Sequence, residues 1–508
     1  MIYDLIIIGG GINGAGIARD ATGRGLNVLL CEKDDLASHT SSASTKLIHG
    51  GLRYLEHYEF RLVRKALQER KVLLRAAPHI ISPLRFVMPY VPHLRPAWLI
   101  RLGLFLYDHL GDLHPLLPSS HSINLRTHPT GIPLKTSLKK GFVYSDAWVQ
   151  DARLVVLNAR DAADKGATIL TRTRLVSAQR HEKYWECTLR STIDNHETIV
   201  KSRALVNAAG PWVGDVLNNT LHIKSKHTVR LVKGSHIVTP RLFDHDYAYI
   251  FQNPDKRIVF AIPYESDFTL IGTTDVEHND DPNTVKISPA EINYLCESVN
   301  QYFNTAVNPN QVIWSYAGVR PLLEDEDANN PSAVTRDYRL ELDSPSHQAP
   351  LLSVFGGKIT TYRKLAEEAM TTLKNVLDFT EQPWTEKATL PGGDIPNADF
   401  ENFLNTVIQR YPWLPTQLAE RYAHAYGTRI DILIDTAKNM TELGEDFGGG
   451  LYEAEVRYLM QYEWALTVED ILWRRSKLGL HVGNDTYQKL EKWLETESTT
   501  NSPLDKFV

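Results

Sequence analysis

Cysteine is scarce: Cys31, Cys187 and Cys296 are the only three in 508 residues, too few and too scattered for a disulfide framework or a zinc site. That usage fits a reducing compartment. Long hydrophobic runs are missing too, since no stretch approaches the ~18 to 20 uninterrupted apolar residues that span a bilayer. The first apolar run is only a few residues long and ends in glycine, so it reads as a buried strand and not as a signal peptide. A basic excess is also absent. With 55 Lys+Arg against 61 Asp+Glu, the net charge of -6 leaves no electrostatic footprint for nucleic acid, and any cationic site must be local. No internal repeat stands out, and the polar C-terminal tail is the one low-complexity tract. What remains is an ordinary soluble composition, 43% hydrophobic and 23% charged. The chain exceeds the ~250 to 300 residues at which single cores stop growing, so two or three domains are expected.

The N-terminal stretch carries the strongest local signal. Leu5-Ile6-Ile7-Ile8 leads into glycines at Gly9, Gly11 and Gly14, and Val28-Leu29-Leu30-Cys31-Glu32 follows. Strand, glycine turn, helix, strand and acid in that order form a dinucleotide cradle. The first glycine permits the tight turn, the second lets a pyrophosphate approach bare backbone, and the third lets helix and strand pack closely. Amides at the helix N-terminus face the phosphates, and Glu32 falls near the ~20-residue offset at which a carboxylate meets a ribose. This stretch alone leaves NAD and FAD both open.

Two distant segments read as returns to the same sheet. Ala204-Leu205-Val206-Asn207-Ala208-Ala209-Gly210 ends in small residues, so a flat group can lie close to backbone near Ala208 and Gly210. Leu351-Leu352-Ser353-Val354-Phe355-Gly356-Gly357-Lys358 runs into Thr360 and a helical pattern, repeating the anion-friendly geometry of the N-terminus. Between them, Val229–Val238, Arg257–Pro263 and Phe268–Asp275 read as antiparallel strands of a separate sheet, which would build a cleft over the cofactor. Beyond Pro391-Gly392-Gly393 the pattern turns helical, with Thr467-Val468-Glu469-Asp470 as a capping box. The Arg474-Arg475-Ser476-Lys477 run reads as a solvated helix end, with a lipid or subunit contact as the alternative. The expected fold is α/β: an FAD-binding Rossmann-like domain with an inserted antiparallel substrate sheet and a C-terminal helical domain. Its boundaries are residues 1–390 and 391–508, with a core of about 1–75, 145–215 and 325–390 and insertions of about 76–144 and 216–324.

The stretch Ser41-Ser42-Ala43-Ser44-Thr45-Lys46-Leu47-Ile48-His49-Gly50-Gly51-Leu52-Arg53-Tyr54 is dense in hydroxyls, glycines and cations. Placed after the second strand, it is positioned to reach the same cofactor, and Arg53 suits a bidentate phosphate or carboxylate contact. Arg53, Arg320 and Arg336, with Lys358, would make a strongly cationic pocket in an acidic protein, which implies a phosphate ester as ligand. His236, following Gly234-Ser235, is a candidate general base.

Taken together, Gly9-Gly10-Gly11-Ile12-Asn13-Gly14-Ala15-Gly16, Thr40 through Leu55 and Phe355 through Arg363 resemble the FAD-dependent glycerol-3-phosphate dehydrogenases of the bacterial aerobic type. The likeness extends through Leu231–His236 and Gly318-Val319-Arg320-Pro321 to Leu443–Phe447. It implies oxidation of sn-glycerol 3-phosphate to dihydroxyacetone phosphate on FAD, with electrons passed to membrane quinone by a homodimer on the cytoplasmic face of a bacterial membrane. It implies substrate contacts from Arg53, Tyr54, His236, Arg320, Arg336 and Lys358, with His236, Lys358 and Arg320 catalytic. Cofactor contacts are expected from Gly9, Gly11, Ile12, Asn13, Gly14, Glu32, Ser42, Ser44, Lys46, Ala208, Gly210, Gly356, Gly357, Lys358 and Thr360. No cysteine falls near Gly356-Gly357-Lys358, so the FAD is expected to be non-covalent, and no metal is expected. The chain shows neither the transit leader nor the EF-hand extension of mitochondrial relatives, which points to a bacterial setting.

A surface anchor is expected at His93–Tyr107, where Leu94, Trp98, Leu102 and Phe105 share a helical stripe with Arg95 and Arg101 flanking it. From the residues alone, a helix apolar nearly all round favours burial; the resemblance favours a phospholipid surface. The rival readings are a flavin amine or amino-acid oxidase of the same fold, an NAD-linked dehydrogenase, and a non-enzymatic flavin-binding protein.

Overall fold

The computed structural model describes residues 2–91, 95–111, 117–225, 227, 229–323 and 337–500. The first apolar run forms the strand Ile2–Ile8, which pairs in parallel with Val28–Cys31 on one side and Glu197–Asn207 on the other. Leu351–Phe355 adds in parallel to Glu197–Asn207, so both apolar returns lie in the same sheet as the cradle. Across this sheet the order is Arg339–Asp343, Leu351–Phe355, Glu197–Asn207, Ile2–Ile8, Val28–Cys31 and Thr168–Leu170. Both faces are buried, which is why these strands read as unbroken apolar runs. Leu5, Ile7, Val28 and Leu30 pack toward the helices Ile12–Gly23, Asp151–Asp164 and Tyr362–Leu373, while Ile6, Ile8, Leu29 and Cys31 pack with Trp185 and Leu217.

The second sheet has ten strands, including Val229–Pro240, Ile258–Tyr264 and Phe268–Gly272 as the alternation predicts. It is antiparallel except where Ala248–Gln252 lies parallel to Ile81–Pro89. Lys140–Val149 continues it, and the two-residue strand Leu47–Ile48, inside the hydroxyl-rich stretch, pairs with Trp148 and Ala147. That short pairing ties the stretch to the second sheet.

Past Pro391 the helices Phe400–Arg410, Thr416–Tyr426, Glu453–Glu463 and Asn484–Thr500 enclose a core of their own around Tyr422, Leu451, Leu459 and Leu490. Gly392 and Gly393 are needed at the junction, because a Cβ would come within 2.2 Å of the Tyr426 carbonyl at one and of the Ala76 carbonyl at the other. The capping box forms: Thr467 N donates to Asp470 at 3.0 Å, and Asp470 N donates to the Thr467 hydroxyl at 3.2 Å. It opens a π-helical turn at Asp470–Arg475. The reading of Arg474–Lys477 as a solvated end is corrected. Arg475 is fully buried and Lys477 nearly so, because acids of both regions, Asp35 and Asp470, partner this run.

Candidate active site

A cavity of about 560 Å³ opens at the C-terminal ends of the first sheet's central strands, lined by Gly9, Gly11, Ile12, Asn13, Glu32, Ala208, Gly210, Gly356 and Gly357, among others. Ligands gather at such strand ends in open α/β sheets. Gly9 has φ +108°, and a Cβ there would come 2.7 Å from the Ala208 carbonyl. A Cβ on Gly14 would sit 1.9 Å from the Gly9 carbonyl, so the third glycine lets the helix start against the strand and does not itself line the cavity. Glu32 is buried and accepts from Gly10 N at 2.7 Å and Asp34 N at 2.9 Å. Burial pushes its carboxyl above the usual range, opposed by those two amides. Asn13 donates to the Gly356 carbonyl at 3.0 Å, leaving its buried Oδ1 without a partner. Bare backbone on three sides, a carboxylate and an unpaired amide oxygen fit a dinucleotide.

The hydroxyl-rich stretch joins this cavity to the second sheet. Ser41 accepts from Ile12 N at 3.0 Å, Thr40 donates to the Val319 carbonyl at 2.7 Å, and Tyr316 donates to the Ser44 carbonyl at 2.8 Å. Gly318 makes the approach possible, since a Cβ there would lie 2.7 Å from that of Ala43. Four of the residues expected at the cofactor make contacts within the protein. Ser44 and Lys46 turn to Asp151, at 2.8 Å each, because the fully buried Lys46 ammonium requires a counter-ion. Ser42 donates to the His39 carbonyl at 3.2 Å, and its neighbour Ser41 faces the cavity instead. Thr360 is buried outside the cavity lining and accepts from His49 N at 3.3 Å, fastening the stretch to the third return.

Strand register assembles the rest. His236 lies opposite Tyr316, Gly234 opposite Gly318, and Val232 opposite Arg320. His236 stacks on Tyr316 with ring centroids 4.8 Å apart, and its Nε2 lies 2.9 Å from the Thr45 hydroxyl. Its Nδ1 is buried without a partner. Burial, and then the charges of Lys46 and Arg320, hold the ring well below the ordinary histidine range, so it stays neutral. Arg320 is half-exposed and paired with Asp275. Arg53 and Tyr54 lie on the short helix Leu52–His57, and Lys358 Nζ sits 4.3 Å from the Tyr54 ring centroid. Among the described residues neither Arg53 nor Lys358 is held by an ion pair. Arg336 lies outside the described residues. Tyr316 was not singled out in the sequence, and Thr45 and Ser41 only as members of the hydroxyl-rich stretch. Tyr316 carried one signal, standing two and four residues before Gly318 and Arg320 on the same strand face.

Residues 4–345 match the FAD dependent oxidoreductase family. The chain belongs to the FAD-dependent oxidoreductases. FAD is therefore the dinucleotide that the cavity suits. Residues 383–498 match the C-terminal domain of alpha-glycerophosphate oxidase. Glycerol-3-phosphate dehydrogenase of Pseudomonas aeruginosa is 54% identical over 98% of this chain and 96% of its own. D-erythritol 1-phosphate dehydrogenase of Brucella abortus is 53% identical over 97% of each chain. Among solved structures, the FAD complex of glycerol-3-phosphate dehydrogenase from Bacillus halodurans aligns with a TM-score of 0.80 at 26% identity, covering 98% of this chain and 91% of that one. Among the described residues of this oxidoreductase no helix is long and apolar enough to cross a membrane.

Proposed function

We propose that the enzyme oxidises sn-glycerol 3-phosphate to dihydroxyacetone phosphate on non-covalently bound FAD and passes the electrons to a membrane quinone. The observation that carries this reading is that Arg53 and Lys358 have no ion-pair partner among the described residues, Lys358 standing over the Tyr54 ring, in a protein of net acidic charge. A phosphate supplies the missing counter-charge; an amine does not. Bound FAD supplies the acceptor for the hydride that leaves the substrate's C2. Arg53 and Lys358, joined by Arg336, hold the phosphate. His236, whose ring plane Tyr316 fixes, is the base that takes the hydroxyl proton. Burial first, then the charges of Lys46 and Arg320, keep that histidine unprotonated.

The relative acting on D-erythritol 1-phosphate supports a second reading in which the same phosphate grip serves a longer polyol. Anaerobic addition of each compound to the yellow enzyme separates them. Bleaching is expected with glycerol 3-phosphate and not with glycerol or glycine, followed by recovery on adding quinone. Faster bleaching by D-erythritol 1-phosphate establishes the second reading, and bleaching by glycine alone overturns both.

The proposed membrane contact is the helix Ala97–Leu110, where Trp98, Leu102, Phe105 and Leu106 are exposed while Leu104 and Tyr107 are buried. Exposed Tyr58 and Phe60 lie at the start of the helix that packs beside it. Such an outward apolar face suits a phospholipid surface on the inner side of the bacterial membrane, with a homodimer as the working form. Leu94 lies outside the described residues, and Arg101 donates to Ser120 at 2.8 Å instead of reaching outward. Residues 1–390 are assigned to the oxidoreductase domain and 391–508 to the helical domain, supported by the separate core of the latter.

A further inference from the structure

The buried run Arg474–Lys477 belongs to the helical region, yet two of its side chains end on the loop that walls the cofactor cavity. That loop starts at Glu32 and continues through Ala37, Ser38, His39, Thr40 and Ser41, all of which line the cavity. Asp35 stands in its middle, 2% exposed and directed away into the helical region. Its carboxylate accepts three charge-assisted hydrogen bonds: Arg474 Nε at 2.7 Å and Arg475 Nη1 and Nη2 at 2.8 Å each.

The main chain of the same residue shapes the wall. The Asp35 carbonyl accepts from the Ser38 hydroxyl at 2.7 Å and from Ser38 N at 3.2 Å. Ala37 follows at φ +60°, a left-handed conformation that an alanine holds only when its surroundings fix it, and its amide reaches the Gly10 carbonyl at 3.2 Å. The loop is therefore pinned to the glycine turn at one point and to the arginines at another.

The arginines stand on a firm base. Arg475 also donates to the Glu463 carbonyl at 2.6 Å, and Arg474 donates to Asp470 at 2.5 Å. Asp470 in turn pairs with Arg172 at 2.5 Å, next to the cavity residue Thr173. Trp473, immediately before Arg474, stacks on Trp314 of the second sheet at 4.5 Å.

We propose that Arg474 and Arg475 are positioning residues for FAD: acting through Asp35, the helical region fixes the 32–41 loop and thereby sets how tightly the cofactor is held. This rests on the reading of the cavity as the FAD site. A supporting wall fixed from behind keeps cavity groups in place for the ligand at no reorganisation cost when it binds.

The test follows FAD release from full-length holoenzyme on dilution, by recovery of free-flavin fluorescence. Asp35→Asn keeps the shape and removes the charge; release at least tenfold faster is expected, with KM for glycerol 3-phosphate at saturating FAD within twofold of the parent. Gly11→Val places a side chain in the cavity itself and serves as the reference for the site. Unchanged release from Asp35→Asn, whether or not its melting temperature falls, overturns the inference while Gly11→Val still loses FAD. If Gly11→Val also retains FAD as the parent does, the cavity reading falls and the inference with it. Should Asp35→Asn fail to fold, Arg474→Gln removes one of the three bonds at a side chain 14% exposed. It is expected to release FAD about threefold faster or more, and an unchanged rate overturns the proposal.

Discussion

Lys46 and Lys358 carry the same charge in opposite surroundings. Lys46 is sealed against Asp151 and lies 5.0 Å from the Tyr316 ring centroid, whereas Lys358 faces Tyr54 with no counter-ion among the described residues. Breaking a buried pair leaves a stranded charge, so Lys46→Met is expected to destabilise by about 3 to 5 kcal/mol, read by urea denaturation. Lys358→Met is expected to leave stability nearly unchanged and to lower kcat/KM about 30-fold, the loss of a phosphate contact of about 2 kcal/mol. Nothing in the neighbouring sequence separates the two, because each follows small or hydroxyl residues. The distinction is made by Asp151, more than a hundred positions away from either. The same holds for Arg320, whose partner Asp275 is reached only through strand pairing.

Elements were more legible than side chains. The cradle strand, its two parallel returns and three strands of the second sheet follow directly from apolar runs, alternation and glycine punctuation. The strand Leu47–Ile48 did not, since two residues carry no period and their pairing with Trp148 and Ala147 is a tertiary event. The helix Ala97–Leu110 is ambiguous by composition because it is apolar nearly all round; the fold divides it by burying Leu104 and Tyr107 and leaving Trp98, Leu102 and Phe105 outside. Trp98→Ser with Phe105→Ser is expected to abolish co-flotation with anionic lipid vesicles while glycerol 3-phosphate still bleaches the flavin. Retained flotation would place the lipid contact elsewhere. Inside, Tyr107 accepts from Gly50 N at 2.7 Å and donates to Asp146 at 2.7 Å, so the helix also supports the hydroxyl-rich stretch.

At the scale of the whole molecule, the junction between the oxidoreductase and helical regions is built from buried charge and buried histidine. Arg153 pairs with Glu463 across it, and His79, with neither ring nitrogen partnered, lies near Arg153 and His424. Burial, then the charge of Arg153 and the neighbouring His424, depress His79 to about 3. An unfolded chain takes up that proton below its ordinary pKa of about 6.5 while the folded chain does not, so stability falls as the pH is lowered from there toward 3. His79→Leu is expected to make the stability–pH slope shallower by about 1.4 kcal/mol per pH unit between roughly pH 6 and 4, measured by urea denaturation. An unchanged slope would show that His79 does not stay neutral in the folded protein. Such long-range pairs were invisible in the sequence, where Arg474–Lys477 looked like surface.

The stretch from Thr40 to Gly50 is fastened at Ile12, Val319, Asp151 and Trp148, hence to two helices that cover the first sheet and to the second sheet at once. Swinging the second sheet away from the cradle helix would break the fastening at Ile12 or those at Val319 and Trp148. The cradle and the second sheet are therefore tied to one another through a single stretch of chain, and a substitution that loosens it is felt on both sides of the cavity.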